Sequence, residues 1–362
     1  MKILFLVPYP TEGASNRIRV EQYMPYLNSK GVVCKIRPFV NSHFYKILYA
    51  PGRYMEKAFW FVICTLNRIL DLMRAMSYDI IVVHREAYPF GGPIFETIFF
   101  KIGKPLVFDF DDAIFLPNTS HQNTYIERFK KPGKISKIIE MSALVIAGND
   151  YLKDYALKYN KNVVVIPSSI DTDRYKPSVK RGKKEITIGW IGSNTTKDFL
   201  YGVEEVFASL SNQHQNLIFK IIGPKFEMPM VGNISNQTWS LDSEIGDIQN
   251  FDIGIMPMPE NEWTKGKCGF KALLYMSCGI PVVASPVGVN LKIIEEGVDG
   301  FFAKNNEEWI KKLNVLIENN ALRAELGKKG RDKVLKRYSL VSNAPLFYKK
   351  LIEVYNNRAG LR

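Results

Sequence analysis

The sequence has few cysteines and histidines, and their spacing excludes several kinds of site. In 362 residues, four cysteines form no CxxC pair, and with four histidines they give no zinc-binding spacing and no HExxH motif. A GxxxxGK[ST] loop is also absent, which disfavours ATP hydrolysis of the P-loop type. We therefore expect a protein of a reducing compartment with no resident metal and no cofactor.

Long hydrophobic runs are missing as well. No stretch reaches the roughly 18 uninterrupted apolar residues that a membrane-spanning helix needs. The opening "MKILFLV" stops at Pro8, which is too short for a secretory signal and is typical of a buried strand. The sequence thus predicts a cytoplasmic protein.

Positive charge, in contrast, is abundant. The net charge of +13 fits attraction to nucleic acid, anionic lipid or phosphorylated substrates. Nucleic acid is disfavoured because the chain has no RNP-type motif, zinc finger or evident recognition helix, and its basic residues are spread along most of the sequence.

β-Branched runs alternate with helical patterns, which predicts parallel α/β architecture. The strand candidates are "KILFLV", "VVCKIRPF", "DIIVVHR", "PLVFDF", "ALVIAG", "VVVIP", "ITIGWIG", "LIFKIIG", "FDIGIMPM" and "IPVVAS". The basic segment 174–185 indicates an interdomain linker. We predict doubly wound domains over residues 1–176 and 185–340, and a helix over 341–362 that returns to the first domain. Ligands of such sheets bind beyond the carboxyl ends of the strands.

Two of these strand ends lie in the first half. After the first strand, Gly13 would let the backbone approach a ligand, and Arg17 and Arg19 open a helix whose start suits a phosphate; an ordinary turn with solvated arginines is the alternative. After "PLVF", three crowded carboxylates need a sugar hydroxyl, a cation or an arginine as partner, unless one caps a helix. These are Asp109, Asp111 and Asp112.

Two more strand ends lie in the second half. In "GWIGSNTTKDFL", Gly192, Ser193 and Lys197 suit a phosphate, or the hydroxyls simply cap a helix. In "TKGKCGFKALLYMSCG", Lys267 and Lys271 are expected one turn apart on one helix face, where a diphosphate could meet both ammonium groups. A solvated basic helix end is the alternative.

These stretches resemble the family 4 (group 1) glycosyltransferases. The resemblance rests on "GFKALLYMSCGIPVVASPVGVN", "EEGVDGFFAKNNEEWIKKL" and "LRAELGKKGRDKVLKRYSL", together with "VIPSSIDTDRY", "GWIGSNTTKDFL" and "FDIGIMPM". It implies the GT-B fold, with two Rossmann-like domains facing a central cleft. It also implies transfer of a sugar from a nucleotide-sugar with retention of configuration and without a bound metal.

The match departs from the family pattern at its acidic residues. The usual glutamate pair would fall on Gly266 and Leu274, and Trp190 stands where the family motif has arginine. This pattern indicates a variant subgroup that lacks the pair. The nearby acids that could replace its contacts are Glu244, Glu260 and Glu262.

The resemblance implies that the acceptor hydroxyl attacks from the face that the diphosphate leaves, so the protein supplies charge stabilisation. The predicted catalytic residues are Asp111, Asp112, Lys267 and Lys271. The predicted donor-binding residues are Gly13, Gly192, Ser193, Lys197, Glu244, Lys265, Gly269 and Phe270, with Arg17 and Arg19 on the acceptor or phosphate side.

The segment 43–76 mixes aromatic and basic residues, as interfacial amphipathic helices do; a helix packed on the first sheet is the alternative. The first interpretation predicts peripheral contact with the anionic inner face of the cytoplasmic membrane, weakened by serine at Trp60 and Phe61. It also favours a glycan or polyprenyl-linked acceptor in bacterial surface polysaccharide synthesis. Two rival functions are a non-catalytic sugar-nucleotide-binding or scaffold protein and another GT-B enzyme, such as a nucleotide-sugar epimerase.

Overall fold

The computed structural model describes residues 1–48, 50–117, 133–178 and 185–358. The chain divides into two compact units. Unit 1 comprises Met1–Ser169 and the residues from Asn343 onward, and unit 2 comprises Ile170–Ser342. Residues 179–184 of the predicted linker lie outside the described residues.

Unit 1 is built on a parallel sheet with the strand order β2-β1-β3-β4-β5-β6. Its central strands are apolar along their length because helices cover both faces of such a sheet. The strands are β1 Lys2–Val7, β2 Val33–Pro38, β3 Ile80–His84, β4 Leu106–Phe110, β5 Leu144–Ala147 and β6 Val163–Val165. The helices are α1 Ala14–Arg19, α2 Met24–Ser29, α3 Ser42–Leu48, α4 Tyr54–Ala75, α5 Ile94–Lys101, α6 Lys134–Met141 and α7 Asp150–Ala156, with a 3-10 turn at Glu21–Tyr23.

Unit 2 has a second parallel sheet, with the order β12-β11-β10-β7-β8-β9. Its strands are β7 Ile186–Ile191, β8 Leu217–Ile222, β9 Ile234–Gln237, β10 Ile253–Met256, β11 Val282–Ala284 and β12 Gly300–Phe302. Its helices are α8 Glu204–Gln213, α9 Glu244–Gln249, α10 Glu262–Lys265, α11 Phe270–Ser277, α12 Asn290–Ile293, α13 Asn306–Glu318 and α14 Asn320–Lys333, with a 3-10 helix at Lys197–Val203 and a π-helix at Val334–Tyr338. The last helix is α15 Leu340–Asn357. The predicted α/β class with two parallel sheets is confirmed.

The boundary between the units lies earlier than the predicted residue 176. The Ile170 N–H donates to the Tyr338 carbonyl, and the Leu340 N–H donates to the Ile170 carbonyl, each over 2.8 Å. The Tyr175 hydroxyl donates to Glu244, in the interior of unit 2. Residues 170–176 therefore pack with the second unit.

A glycine in the middle of the second sheet lets α11 lie close to it. A Cβ on Gly254 of β10 would come within 2.4 Å of the Tyr275 ring, so only glycine leaves room for that ring. The Tyr275 hydroxyl then accepts a hydrogen bond of 3.0 Å from the Ile191 N–H at the end of β7. This contact holds α11 against the carboxyl end of β7. Among the described residues, no helix has both the length and the apolar character required to cross a bilayer.

Candidate functional site

In unit 1, charged side chains gather at the carboxyl ends of β3 and β4. His84 closes β3 and is in register with Asp109 of β4. Arg85 follows β3 with a φ of 61°, in the left-handed region that residues other than glycine rarely adopt. Asp111 and Asp112 follow β4, so the parallel pairing of the two strands brings all five residues to one edge of the sheet.

Arginines pair with the crowded aspartates. Arg85 Nε donates to Asp111 Oδ1 over 2.7 Å, and its terminal nitrogen lies 3.9 Å from Asp112 Oδ2. Arg19 Nε donates to Asp109 Oδ2 over 3.2 Å, and a second guanidinium N–H donates to Asp109 Oδ1. The sequence left open whether a sugar hydroxyl, a cation or an arginine pairs with these carboxylates. In the structure, the partners are arginines.

His84 lies between two of the carboxylates. Its Nδ1 is 2.7 Å from Asp109 Oδ2, and because an ionised carboxylate only accepts, the Nδ1–H is the donor. Its Nε2 is 3.9 Å from Asp111 Oδ1 and has no hydrogen-bond partner in the part of the chain that the structure describes. The imidazole is fully buried. Asp109 therefore fixes the ring whose other nitrogen faces Asp111.

These contacts keep the two aspartates ionised. Burial disfavours the charged form of Asp109, but Arg19 and His84 outweigh burial and hold its pKa below the usual range. Burial likewise opposes the Asp111 charge, yet Arg85 and His84 lower its pKa well below that of an ordinary aspartate. At neutral pH, Asp111 is thus a hydrogen-bond acceptor, suited to orienting a hydroxyl group and unsuited to donating a proton.

The predicted phosphate-binding turn after β1 is occupied by internal contacts. Arg17 donates to the Thr11 and Glu12 carbonyls over 3.0 and 3.2 Å, and a Cβ on Gly13 would lie 2.6 Å from the Tyr9 Cβ. Arg19 is buried in its ion pair with Asp109. That internal role replaces the predicted contact of Arg19 with a phosphate.

In unit 2, the turn after β7 receives the side chain of Lys271. The N–H groups of Thr196 and Lys197 donate to the Ser193 carbonyl over 3.0 and 3.1 Å, which closes the turn. Lys271, in the first turn of α11, donates to Thr196 Oγ1 over 3.3 Å. A Cβ on Gly192 would lie 2.4 Å from the Trp190 ring and 3.0 Å from Lys271 Cε. The missing side chain of Gly192 therefore makes room for the lysine.

The Lys271 ammonium group lies over the ring of Trp190. The Lys271 Nζ lies 5.3 Å from the centroid of the indole ring, within the range of a cation–π contact. Trp190 is buried in the core of unit 2. The residue that stands in place of the family's arginine is thus a fixed support for a positive charge.

Lys267 is not on the same helix as Lys271, so the predicted shared helix face is wrong. Gly269, with a φ of 66°, is the N-cap of α11 and lies between the two lysines. Lys267 lies in the turn after α10, with its Nζ 3.6 Å from the centroid of the Trp263 ring. Lys265 pairs with Glu262 over 2.7 Å at a solvated position.

The other predicted donor residues vary in exposure. The buried Glu244 accepts hydrogen bonds from Tyr175 and Trp239, so it serves the interior of unit 2 and departs from its predicted role toward a sugar. Ser193 is exposed, and its hydroxyl is 2.8 Å from that of Thr195. Phe270, the first residue of α11, is partly buried against the core of unit 2.

Sequence reasoning missed several residues of these sites. His84 and Arg85 could have been found, because they end the strand that neighbours the aspartates. Asn290 could not: it donates to the Ser285 carbonyl over 3.0 Å, and its buried Oδ1 has no hydrogen-bond partner among the described residues. That oxygen lies 3.5 Å from the Cβ position of Gly269, at the start of α11. In the described ranges, no group of three or more His, Cys, Asp or Glu side chains is arranged to hold a metal ion.

Comparison with known proteins agrees with this architecture. Residues 248–333 match the family model described as glycosyl transferases group 1, which confirms the predicted resemblance over that segment. No curated protein sequence matches the chain significantly.

Solved structures extend the comparison to the whole chain. Sucrose-phosphate synthase from Thermosynechococcus elongatus is 13% identical with a TM-score of 0.70, covering 98% of this chain and 100% of that one. The Anabaena protein HepE in complex with UDP and glucose is 16% identical with a TM-score of 0.71, and the match covers 98% of this chain and 100% of HepE. A glycosyltransferase from Rickettsia africae is 15% identical with a TM-score of 0.68, and the match covers 99% of this chain and 98% of that enzyme. These likenesses confirm the GT-B fold.

Proposed function

We propose that the protein is a glycosyltransferase that uses a nucleotide-sugar donor, on the premise that its residues 248–333 carry the group 1 signature. The observation that supports this proposal is the position of the Lys271 side chain. This lysine stands in the first turn of α11, contacts Thr196 and rests above Trp190. A cation fixed beside a helix N-terminus and a glycine turn suits a diphosphate.

The position of Lys271 would let it stabilise the leaving group. When the glycosidic bond to the diphosphate breaks, negative charge grows on the phosphate oxygens. Lys271 and the first amides of α11 are held in place before the reaction, so little reorganisation is needed to stabilise that charge. Lys267, at the turn before α11, is proposed as the second cation. HepE was crystallised with UDP and with UDP-glucose, which makes UDP-sugars the first donors to test.

In the proposed reaction the anomeric configuration is retained and no metal ion takes part. The acceptor hydroxyl attacks the anomeric carbon, the bond to the diphosphate breaks, and a phosphate oxygen takes the hydroxyl proton. Asp111 and Asp112 orient sugar hydroxyls as acceptors, a role that fits the lowered pKa of Asp111. We propose a glycan or lipid-linked glycan acceptor, as used in surface polysaccharide synthesis.

The test combines a donor panel with a lysine variant. A donor present at about 100 times its Kd should stabilise the protein by about 2.7 kcal/mol, which a thermal-shift screen of UDP-, GDP-, ADP- and CMP-sugars would detect. Lys267→Ala and Lys271→Ala should each lower transfer at least tenfold, about 1.4 kcal/mol of transition-state stabilisation. Lys329→Ala is the matched control, because Lys329 forms an exposed ion pair with Glu325 on α14.

The outcomes separate the rival functions. Wild-type transfer rates in both lysine variants would refute the diphosphate site. Donor binding without transfer or hydrolysis would favour a sugar-nucleotide-binding scaffold. An altered sugar, still on its nucleotide or free, with no glycoside formed would favour an epimerase.

A further inference from the structure

Helix α4 exposes its apolar side to solvent. Large apolar side chains recur along it at steps of three and four residues, and each is exposed; the most exposed, at 86%, is Met55. At 3.6 residues per turn they share an arc of about 100°. No charged residue of α4 falls within that arc. We call this surface the α4 stripe, and it consists of Met55, Phe59, Val62, Leu66, Ile69, Leu70 and Met73.

The side of α4 that faces the protein carries apolar residues, Cys64 and Ala75, as well as the charged pair Arg68 and Asp71. Both Arg68 and Asp71 are buried there, and Arg68 Nη1 lies 3.3 Å from Asp71 Oδ2. Arg68 also donates to the carbonyls of Val7 and Arg37, over 3.3 and 3.2 Å. The helix is thus attached both by apolar packing around Cys64 and by a buried ion pair, and it turns a second apolar surface outward, where an ordinary surface helix is polar. Neither alternative drawn from the sequence describes this arrangement fully, because the helix both packs on unit 1 and exposes an apolar face.

The charge around the stripe indicates what covers it. Residues 42–78 hold five Lys or Arg and two Asp or Glu, a net charge of +3. In a symmetric dimer through this surface, the patch would meet itself, and equal positive charges would face each other. An anionic bilayer leaflet offers the opposite charge and an apolar interior. The chemistry therefore favours a membrane over a second copy of the chain.

We propose that the α4 stripe is a membrane-docking surface that inserts into an anionic leaflet with α4 parallel to its plane. A 22-residue helix is about 33 Å long, so the stripe offers a long contact for an interfacial helix. Trp60 and Phe61, which the sequence suggested as membrane contacts, are partly buried instead: Phe61 packs on Phe39 with ring centroids 5.6 Å apart, and Trp60 lies 5.0 Å from the His43 ring. The exposed residues of the stripe take their place in the proposal.

Vesicle co-sedimentation of the full chain tests the proposal. The wild type should bind vesicles of phosphatidylcholine with phosphatidylglycerol, and should bind pure phosphatidylcholine vesicles weakly. Leu66→Glu combined with Met73→Glu should lower binding to the anionic vesicles at least tenfold, because it places charges in the centre of the stripe. Asn67→Glu is the matched control: Asn67 is exposed on the same helix outside the stripe, so its variant should keep most of the binding.

Each result has a definite meaning. The proposal is overturned if the wild type ignores anionic vesicles at low salt, or if the double variant binds as the wild type does. Sedimentation velocity adds a third outcome: a wild-type dimer that the double variant converts to a monomer, with no vesicle binding by either, assigns the stripe to a second copy. The inference does not rest on glycosyl transfer, since transfer to a soluble acceptor should be unchanged in the double variant.

Discussion

Replacement of Arg19 by methionine should destabilise unit 1 strongly. Arg19 donates two hydrogen bonds to Asp109 and one of 2.7 Å to the Ile166 carbonyl, all of them buried. The substitution leaves the Asp109 carboxylate in the interior with His84 as its remaining partner in that network. Removing one member of a buried ion pair costs about 3–5 kcal/mol. Because the hydrogen bond from His84 persists, we expect a loss near the lower end, about 3 kcal/mol.

Hydrogen exchange of the β1, β3 and β4 amides measures this loss in the unit where it occurs. Arg19→Met combined with Asp109→Leu should recover most of the stability, because neither charge is then left unpaired. Arg74→Met is the control, since the partly exposed Arg74 also pairs with an aspartate and should contribute about 0.5 kcal/mol. A loss below about 1 kcal/mol in Arg19→Met, accompanied by weaker binding of a nucleotide-sugar, would refute the reasoning and return Arg19 to a ligand site.

Two further predictions concern the carboxylates. The lowered pKa values of Asp109 and Asp111 mean that their ion pairs stabilise unit 1 fully above the ordinary aspartate pKa near 4, and that this stability is lost as the pH falls below it. Acid unfolding followed by circular dichroism should therefore depend less steeply on pH in Asp111→Asn, and an unchanged slope would contradict the assigned pairing. Transfer activity should survive a chelator, while Asp111→Asn should lower it at least tenfold; activity lost in chelator and restored by a divalent cation would instead assign the carboxylates to a metal.

Most of the fold could be predicted from the sequence because parallel strands buried on both faces are continuous apolar runs. The ten strand candidates correspond to β1–β8, β10 and β11, each within about two residues at either end. Two strands were missed: β9, "ISNQ", is polar, and β12, "GFF", has no β-branched residue; both lie at the edges of the second sheet. The helix that the sequence predicts after Gly13 is divided into α1, a 3-10 turn and α2.

The sites were less predictable because their partners come from elsewhere in the chain. The aspartates after β4 were evident, but Arg19 is 90 residues away and becomes their neighbour only through the sheet order. A helical pattern also cannot show where a helix begins. Gly269 adopts a left-handed conformation, and a Cβ there would lie 2.2 Å from Ile293 Cδ1, so glycine is required where α11 begins and Lys267 lies outside the helix.

The outward-facing side of α4 also has a consequence for how unit 1 would move on a bilayer. A single anchoring point lets a protein tilt in every direction, whereas a line of contact about 27 Å long, from Met55 to Met73, limits tilt along the helix axis and fixes the height of the unit. The stripe covers somewhat more than a quarter of the helix circumference, so it also limits rotation of the unit about the helix axis. Lateral diffusion and rotation about the membrane normal remain. If the proposed docking and the proposed lipid-linked acceptor both hold, the sheet edge that carries His84 and Asp111 would stay at a constant distance from the leaflet, and its search for that acceptor would be two-dimensional.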